Sequence, residues 1–142
     1  MLRVVQNSEN SEMEKSLRAM LEREGYVLSR ERMHGETGVD IIARKGEEEI
    51  HIEVIGYRAS GPARAKDFYE CFFRIISRLK DGAKRIVMAL HSQAECGLPA
   101  RARQYGEAWK RIGNAFPELE IWLVDHETES YKVTAWGDWL LK

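Results

Sequence analysis

Hydrophobic residues recur at helical spacing in three stretches of the chain, 9–24, 64–80 and 99–115. The apolar positions of the first stretch are Met13, Leu17, Met20 and Leu21. Gly25 follows them at a position where helices commonly end, and Asp81-Gly82 closes the second stretch in a similar way. The 3.6-residue period therefore predicts three amphipathic helices.

Shorter runs between these stretches have the composition of strands. An extended run begins at Tyr26 and is expected to end near Met33, before a segment rich in turn formers. Two alternating runs, 39–44 and 49–55, flank a polar turn and predict a β-hairpin. Further strands are predicted at 86–90, 120–124 and, as an edge strand, 131–135. The order α-β-β-β-α-β-α-β, followed by the edge strand, predicts a mixed α/β sandwich with parallel crossovers in its second half.

The hairpin register follows from a turn centred between Gly46 and Glu47. It pairs Ala43 with Ile50, Ile41 with Ile52 and Val39 with Val54, so that one face is wholly apolar. On the other face it pairs Arg44 with Glu49, Ile42 with His51 and Asp40 with Glu53. A slip by one residue would mix the two faces, which supports this register.

Two carboxylates, Asp40 and Glu53, therefore face each other across adjoining strands. Like charges in this position destabilise a sheet, so another group is expected to offset the repulsion. A divalent cation such as Mg²⁺ would do so, because it takes one or two protein carboxylates and keeps several waters. A proton shared by the carboxyl groups, or a nearby arginine or lysine, are the alternatives.

These features carry a family resemblance over about residues 9–91. The element order, together with the runs Gly38–Ile42 and Ile50–Ile55, resembles the PD-(D/E)xK nuclease superfamily. The resemblance implies a restriction-endonuclease-like fold, a three-layer sandwich around a central mixed sheet. It also implies hydrolysis of DNA phosphodiesters with Mg²⁺ or Mn²⁺. The metal ligands that it implies are Asp40, Glu53 and the backbone carbonyl of Val54, with Glu14 of the first helix as an accessory carboxylate.

The sequence departs from the family at the motif lysine. That residue belongs two positions after the second carboxylate, where this chain has Ile55. In a nuclease, the positive charge of that lysine would orient the attacking water or stabilise the phosphorus centre. The first predicted replacement is Lys66 at the start of the next helix, and the second is Arg58. The alternative function is a catalytically inactive nuclease-fold module that binds nucleic acid or a protein partner.

Charge and composition limit the partners. Residues 1–142 are expected to form one domain, because 44% are hydrophobic and the length suits one core. The net charge of −1 argues against polybasic binding, so any nucleic-acid surface must be local. Between 58 and 85 the sequence has eight basic and three acidic residues. This local excess of positive charge is either the solvated face of a helix or a phosphate-binding surface. In the second case Arg58, Arg64 and Lys66 would contact DNA.

The sequence also bears on where the protein is located and how it assembles. The apolar runs are far shorter than the roughly 20 residues of a membrane span, and no secretory signal opens the sequence. The protein is therefore expected to be cytoplasmic, with Cys71 and Cys96 reduced. By analogy with nucleases that cut both strands, a homodimer is expected.

Overall fold

The computed structural model describes residues 2–33 and 38–141, with side chains from residue 11 onward within those ranges. The helices are α1 (Leu2–Arg23), α2 (Gly61–Ile76), α3 (Leu98–Tyr105) and α4 (Glu107–Ala115). The strands are β1 (Val27–Leu28), β2 (Ile41–Lys45), β3 (Glu48–Ile55), β4 (Arg85–His91), β5 (Leu119–Asp125) and β6 (Ser130–Ala135). Short 3₁₀ helices follow α2, β4 and β6.

All six strands join one mixed sheet in the order β1-β2-β3-β4-β5-β6. The pairs β1–β2, β2–β3 and β5–β6 are antiparallel, and β3–β4 and β4–β5 are parallel. The parallel pairs are those with helices between their strands, since only a crossover returns the chain to the same end of the sheet. No helix of the described residues is long and apolar enough to cross a membrane.

One hydrophobic cluster joins α1 to the sheet. Met13, Leu17 and Leu21 are completely buried there against the apolar face of the hairpin. The periodicity identified this face, but the helix begins at Leu2 and not near residue 9. Neither glycine nor proline interrupts residues 2–23, so the helix continues past the serines that were expected to cap it.

A second cluster joins α2, α3 and α4 to the sheet. Phe68, Cys71 and Ile75 of α2 are buried in it, as the helical spacing predicted. The Ser60 side chain caps α2 by accepting a hydrogen bond from the Ala63 N–H at 3.4 Å. The helix ends at Ile76, and a 3₁₀ helix continues the chain to Asp81.

The prediction of one helix over 99–115 is wrong, because the chain breaks between α3 and α4 at Gly106. This residue has φ +49° and ψ −112°, which no helix accommodates. After the break, Trp109 stacks on Trp136 with ring centroids 3.8 Å apart. Each indole N–H donates to the other residue's carbonyl at 2.9 Å, which fixes the C-terminal 3₁₀ helix against α4.

The first strand is shorter than predicted, since β1 ends at Leu28 and not near Met33. The Ser29 N–H still donates to the Ile42 carbonyl, but the Ile42 N–H donates to the Ser29 hydroxyl, both at 2.9 Å. The serine side chain thus takes the place of a backbone partner and ends the ladder. Residues beyond Ser29 leave the sheet, and this directs Arg32 towards Asp40.

A candidate carboxylate site at the end of the hairpin

The predicted hairpin register is confirmed over β2. Ile41 pairs with Ile52 and Ala43 with Ile50, and the remaining partners are also as predicted. These four side chains are completely buried under α1. Regular pairing begins at Ile41, so Asp40 lies one residue before the strand.

The predicted position of Val39 is wrong. It was placed on the same face as Ile41, but it packs with Phe68 and Cys71 on the opposite side of the sheet. Strict alternation holds only within the paired strand, and the chain changes direction at Asp40 before pairing starts. The Asp40 N–H donates to Glu53 Oε1 at 3.2 Å, so a side chain satisfies this group.

The structure brings Asp40 beside Glu53, with one hydrogen bond to Glu53 itself and one to the next residue of β3. Besides the contact of the Asp40 N–H with Glu53, the Val54 N–H donates to Asp40 Oδ2 at 2.8 Å. The Asp40 side chain is 15% exposed and Glu53 only 3%. One carboxylate thus lies at the surface of the site and the other beneath it.

Burial raises the pKa of Glu53 to about 7, and the negative charge of Asp40 adds to the shift. The charges of Arg32 and Arg74 oppose it, as does the hydrogen bond from the Asp40 N–H. Near neutral pH, Glu53 is therefore present in both its protonated and its ionised form. The shared proton anticipated as one way to offset the repulsion is consistent with this environment.

Arg32 provides another of the anticipated offsets. Its Nη2 donates to Asp40 Oδ1 at 2.5 Å, and its side chain is 34% exposed. Sequence reasoning did not identify this residue, because it lies outside any periodic element and precedes the turn-rich segment before Asp40. The early end of β1 brings it to the site.

Arg18 of α1 holds the main chain beside Asp40. Its side chain is only 10% exposed and donates to the Asp40 carbonyl at 2.7 Å and the Ser29 carbonyl at 2.5 Å. Its Nε donates to Glu14 Oε2 at 2.9 Å. Burial raises the pKa of Glu14, the hydrogen bond from Arg18 opposes that shift, and the Asp40 charge adds to it. Glu14 thus lies within electrostatic range of Asp40, as a residue facing the sheet should.

Replacing Arg18 by methionine tests this positioning role. Methionine keeps an apolar stem but removes the donors to the Asp40 carbonyl, the Ser29 carbonyl and Glu14, so we expect a loss of about 2–4 kcal/mol in the free energy of unfolding. Urea unfolding measures it. Lys15→Met on the exposed face of α1 is the control and should change stability little; an equal loss in both variants would contradict the role of Arg18.

The predicted replacements for the motif lysine lie elsewhere. Lys66 is 74% exposed and pairs with Glu70 at 3.9 Å. Arg58 pairs with Asp67 at 3.4 Å, and Arg64 donates through Nη1 to the Arg58 carbonyl at 2.8 Å. Their roles in catalysis and DNA contact remain predictions, and these contacts do not direct Lys66 or Arg58 towards Asp40.

The position of the motif lysine is apolar in its surroundings as well as in its sequence. Ile55 is half-buried and packs against the cluster under α2. Val54, the preceding residue, is buried on the α1 side, and the ligand role of its carbonyl remains a prediction. Within the described residues, no group of three or more histidine, cysteine, aspartate or glutamate side chains is arranged to hold a metal ion.

His51 shows how far the hairpin face is covered. His51, predicted to lie on the same face as Glu53, is only 4% exposed. Its Nε2 lies 2.8 Å from Glu49 Oε1. The parallel strand β4 pairs beside it and α2 packs over this side of the sheet, which the hairpin pattern alone did not reveal.

No protein-family model matches this sequence, and no curated protein matches it. Two solved structures are similar. One is an XisH family protein from Nostoc punctiforme PCC 73102, with a TM-score of 0.56 at 15% identity over 87% of this chain and 98% of that chain. The other is an fdxN element excision controlling factor protein from Anabaena variabilis, with a TM-score of 0.56 at 13% identity over 86% of this chain and 96% of that chain. The likeness shows that this chain shares the mixed α/β fold of these two proteins.

Proposed function

We propose that this chain acts on DNA phosphodiesters with a divalent cation, Mg²⁺ or Mn²⁺, held by Asp40 and Glu53. The observation that carries the proposal is that Asp40 and Glu53 lie beside each other at the end of the hairpin, where the Asp40 N–H donates to Glu53 Oε1 and the Val54 N–H donates to Asp40 Oδ2. The fold supports it, because nuclease sites of the resembled superfamily use carboxylates at this place. DNA as partner is carried over from the second neighbour, which is described as controlling excision of the fdxN element.

The donor chemistry of the site fits a hard cation. Mg²⁺ takes one or two carboxylates and keeps several waters, so two side chains are sufficient. The charge of Asp40 contributes to the raised pKa of Glu53, and a cation between them would favour the ionised form. When bound, the cation would supply Lewis-acid stabilisation of the phosphoryl oxygens.

The protein's own residues prepare the site. The Val54 N–H orients the Asp40 carboxylate, and Arg18 holds the Asp40 carbonyl. Arg32 contacts Asp40 Oδ1 and so competes with a cation for the same oxygen. Once displaced from Asp40, the Arg32 guanidinium lies beside the site and can pair with a phosphate, the role that the motif lysine would have had.

The second candidate function is a nuclease-fold module without catalysis that binds nucleic acid. The observation that favours it is the packing of Ile55 into the apolar cluster under α2. An isoleucine side chain can neither orient the attacking water nor stabilise charge on the phosphorus centre. In this case the protein would still bind DNA but would not hydrolyse it.

Cleavage assays with Mn²⁺ distinguish the two candidates. Linear, branched and single-stranded DNA are incubated with the wild type, with Asp40→Asn, and with Asp81→Asn, an exposed acid of the 3₁₀ helix after α2. We expect Asp40→Asn to slow cleavage about 100-fold or more, because it removes a negatively charged ligand, while Asp81→Asn cleaves normally. Binding of DNA by the wild type without cleavage of any substrate would overturn the proposed enzymatic function and favour the inactive module.

A further inference from the structure

A cavity of about 240 Å³ opens at the carboxyl ends of β3 and β4. The side chains that give it chemistry are Tyr57, Arg64, His91, Gln93 and Arg101, and Ile55 forms part of its wall. Loops that follow the carboxyl ends of parallel strands commonly carry binding residues. The proposed metal site does not use this cavity.

The cavity adjoins the carboxylate site along β3. Glu53 and Ile55 are alternate residues of one strand, so their side chains lie on the same face, about 7 Å apart along the strand. A chain of nucleotides with one phosphodiester at Asp40 and Glu53 would bring its neighbouring unit to the wall formed by Ile55. This relation connects the cavity to the proposed function.

The lining favours an anion. None of the described residues that line the cavity is acidic, and two are arginines. The Arg101 guanidinium lies 4.9 Å from the Phe68 ring centroid, and the Arg64 guanidinium lies 4.8 Å from that of Tyr57. Stacking uses the flat face of a guanidinium, and its edges keep donors suited to phosphate.

The same groups are held in place before any ligand arrives. Arg64 Nη1 donates to the Arg58 carbonyl at 2.8 Å and to the Ala59 carbonyl at 2.9 Å, which fixes the loop that carries Tyr57. The Tyr57 ring lies 6.1 Å from the His91 ring. Unpaired bases stack on aromatic rings in single-strand-binding proteins, and an arginine adds a cation–π contribution.

The size of the cavity limits the ligand. At about 240 Å³ it is slightly smaller than the range of about 300–1,000 Å³ typical of sites for drug-sized ligands. A partly open cavity of this volume has room for about one nucleotide unit at most, and a base pair is too large for it.

We propose that this cavity receives one unpaired nucleotide next to the reacting phosphodiester, and that the protein therefore prefers single-stranded DNA to duplex. Arg101 and Arg64 bind the phosphate, and Tyr57 stacks on the base. The position of the nucleotide relative to the reacting bond rests on the proposed function, whereas its binding in the cavity requires neither metal nor cleavage.

The test measures binding by fluorescence anisotropy in metal-free buffer, with a short labelled single strand and a blunt duplex of equal length. We expect the wild type to bind the single strand about tenfold more tightly, and Arg101→Gln to lose about that preference. Losing one phosphate contact should also lower the slope of log K against log salt by about 0.7 for the single strand. Arg103→Gln, an exposed arginine of the same helix, is the matched control and should bind normally.

Two further measurements distinguish a lost DNA contact from a folding defect in the variant. Arg101→Lys retains a point charge and should recover part of the lost affinity, and amide shifts of Tyr57 and His91 should move when the single strand is added to the wild type. Thymidine monophosphate should compete only at far higher concentrations than the single strand. Equal competition would assign the cavity to free nucleotides and overturn the proposed binding of single-stranded DNA.

The two proposals fail separately. Equal binding by Arg101→Gln and Arg103→Gln, or equal affinity of the wild type for duplex and single strand, would overturn the cavity assignment even if cleavage is observed. Loss of single-strand binding in Arg101→Gln supports it even if no DNA is ever cut.

Discussion

Glu53→Gln is expected to stabilise the folded protein at about pH 8 by on the order of 3 kcal/mol, which would raise the melting temperature by roughly 10 °C. The reason is the buried carboxyl, whose pKa is raised from its ordinary value of 4.5 to about 7 by burial and by the charge of Asp40. Each pKa unit corresponds to about 1.4 kcal/mol. Glutamine cannot ionise, and its amide oxygen can still accept the hydrogen bond from the Asp40 N–H.

The sign of the stability difference between Glu53→Gln and the wild type follows from the pH at which Glu53 ionises in the folded and unfolded states. Below an unfolded pKa of 4.5, Glu53 is protonated in both states, so its favourable contribution is complete. As pH rises through the folded pKa of about 7, this contribution is lost, because the native state must carry a buried charge beside Asp40. The stability gained by Glu53→Gln should therefore grow between these two values and become constant above them.

Unfolding in urea, in the presence of a chelator and at several pH values from about 5 to about 9, measures this difference. Glu47→Gln, an exposed glutamate in the hairpin turn, is the matched control and should follow the wild type throughout. A constant offset between Glu53→Gln and the wild type at every pH would contradict the raised pKa of Glu53.

The second large effect concerns Mn²⁺ affinity. Asp40→Asn is expected to weaken it about 100-fold or more, because the variant loses the more exposed carboxylate of the pair. Arg32→Gln should have the opposite effect and tighten Mn²⁺ binding, since Arg32 and the cation compete for Asp40 Oδ1. Affinity of the wild type should fall as pH drops below about 7, when Glu53 takes up its proton.

Period and turn chemistry were enough to locate the pair of carboxylates. The alternation along 39–44 and 49–55 favoured one register, which places Ile41, Ala43 and their partners on one apolar face, and the structure has that register over β2. The same rule failed at Val39, one residue before Asp40, because alternation applies only to paired strands. Asp40 and Glu53 still meet, through a backbone N–H that the ladder leaves available.

Non-local contacts explain what the sequence did not reveal. Arg32 and Arg18 reach Asp40 only because β1 ends at Leu28 and α1 crosses this edge of the sheet. Neither residue follows a motif spacing relative to Asp40. The break at Gly106 was hidden for a similar reason: the apolar pattern over 99–115 continues through it, and the pairing of Trp109 with Trp136 determines where α4 lies.

Calorimetric titration of Mn²⁺ into the wild type, Asp40→Asn and Arg32→Gln, at about pH 8 and at about pH 6, tests the central claim most directly. We expect one ion per chain, weaker binding at the lower pH, loss of binding in Asp40→Asn and tighter binding in Arg32→Gln. Equal heats for the wild type and Asp40→Asn at both pH values would show that the paired carboxylates hold no cation, and would contradict the proposed function.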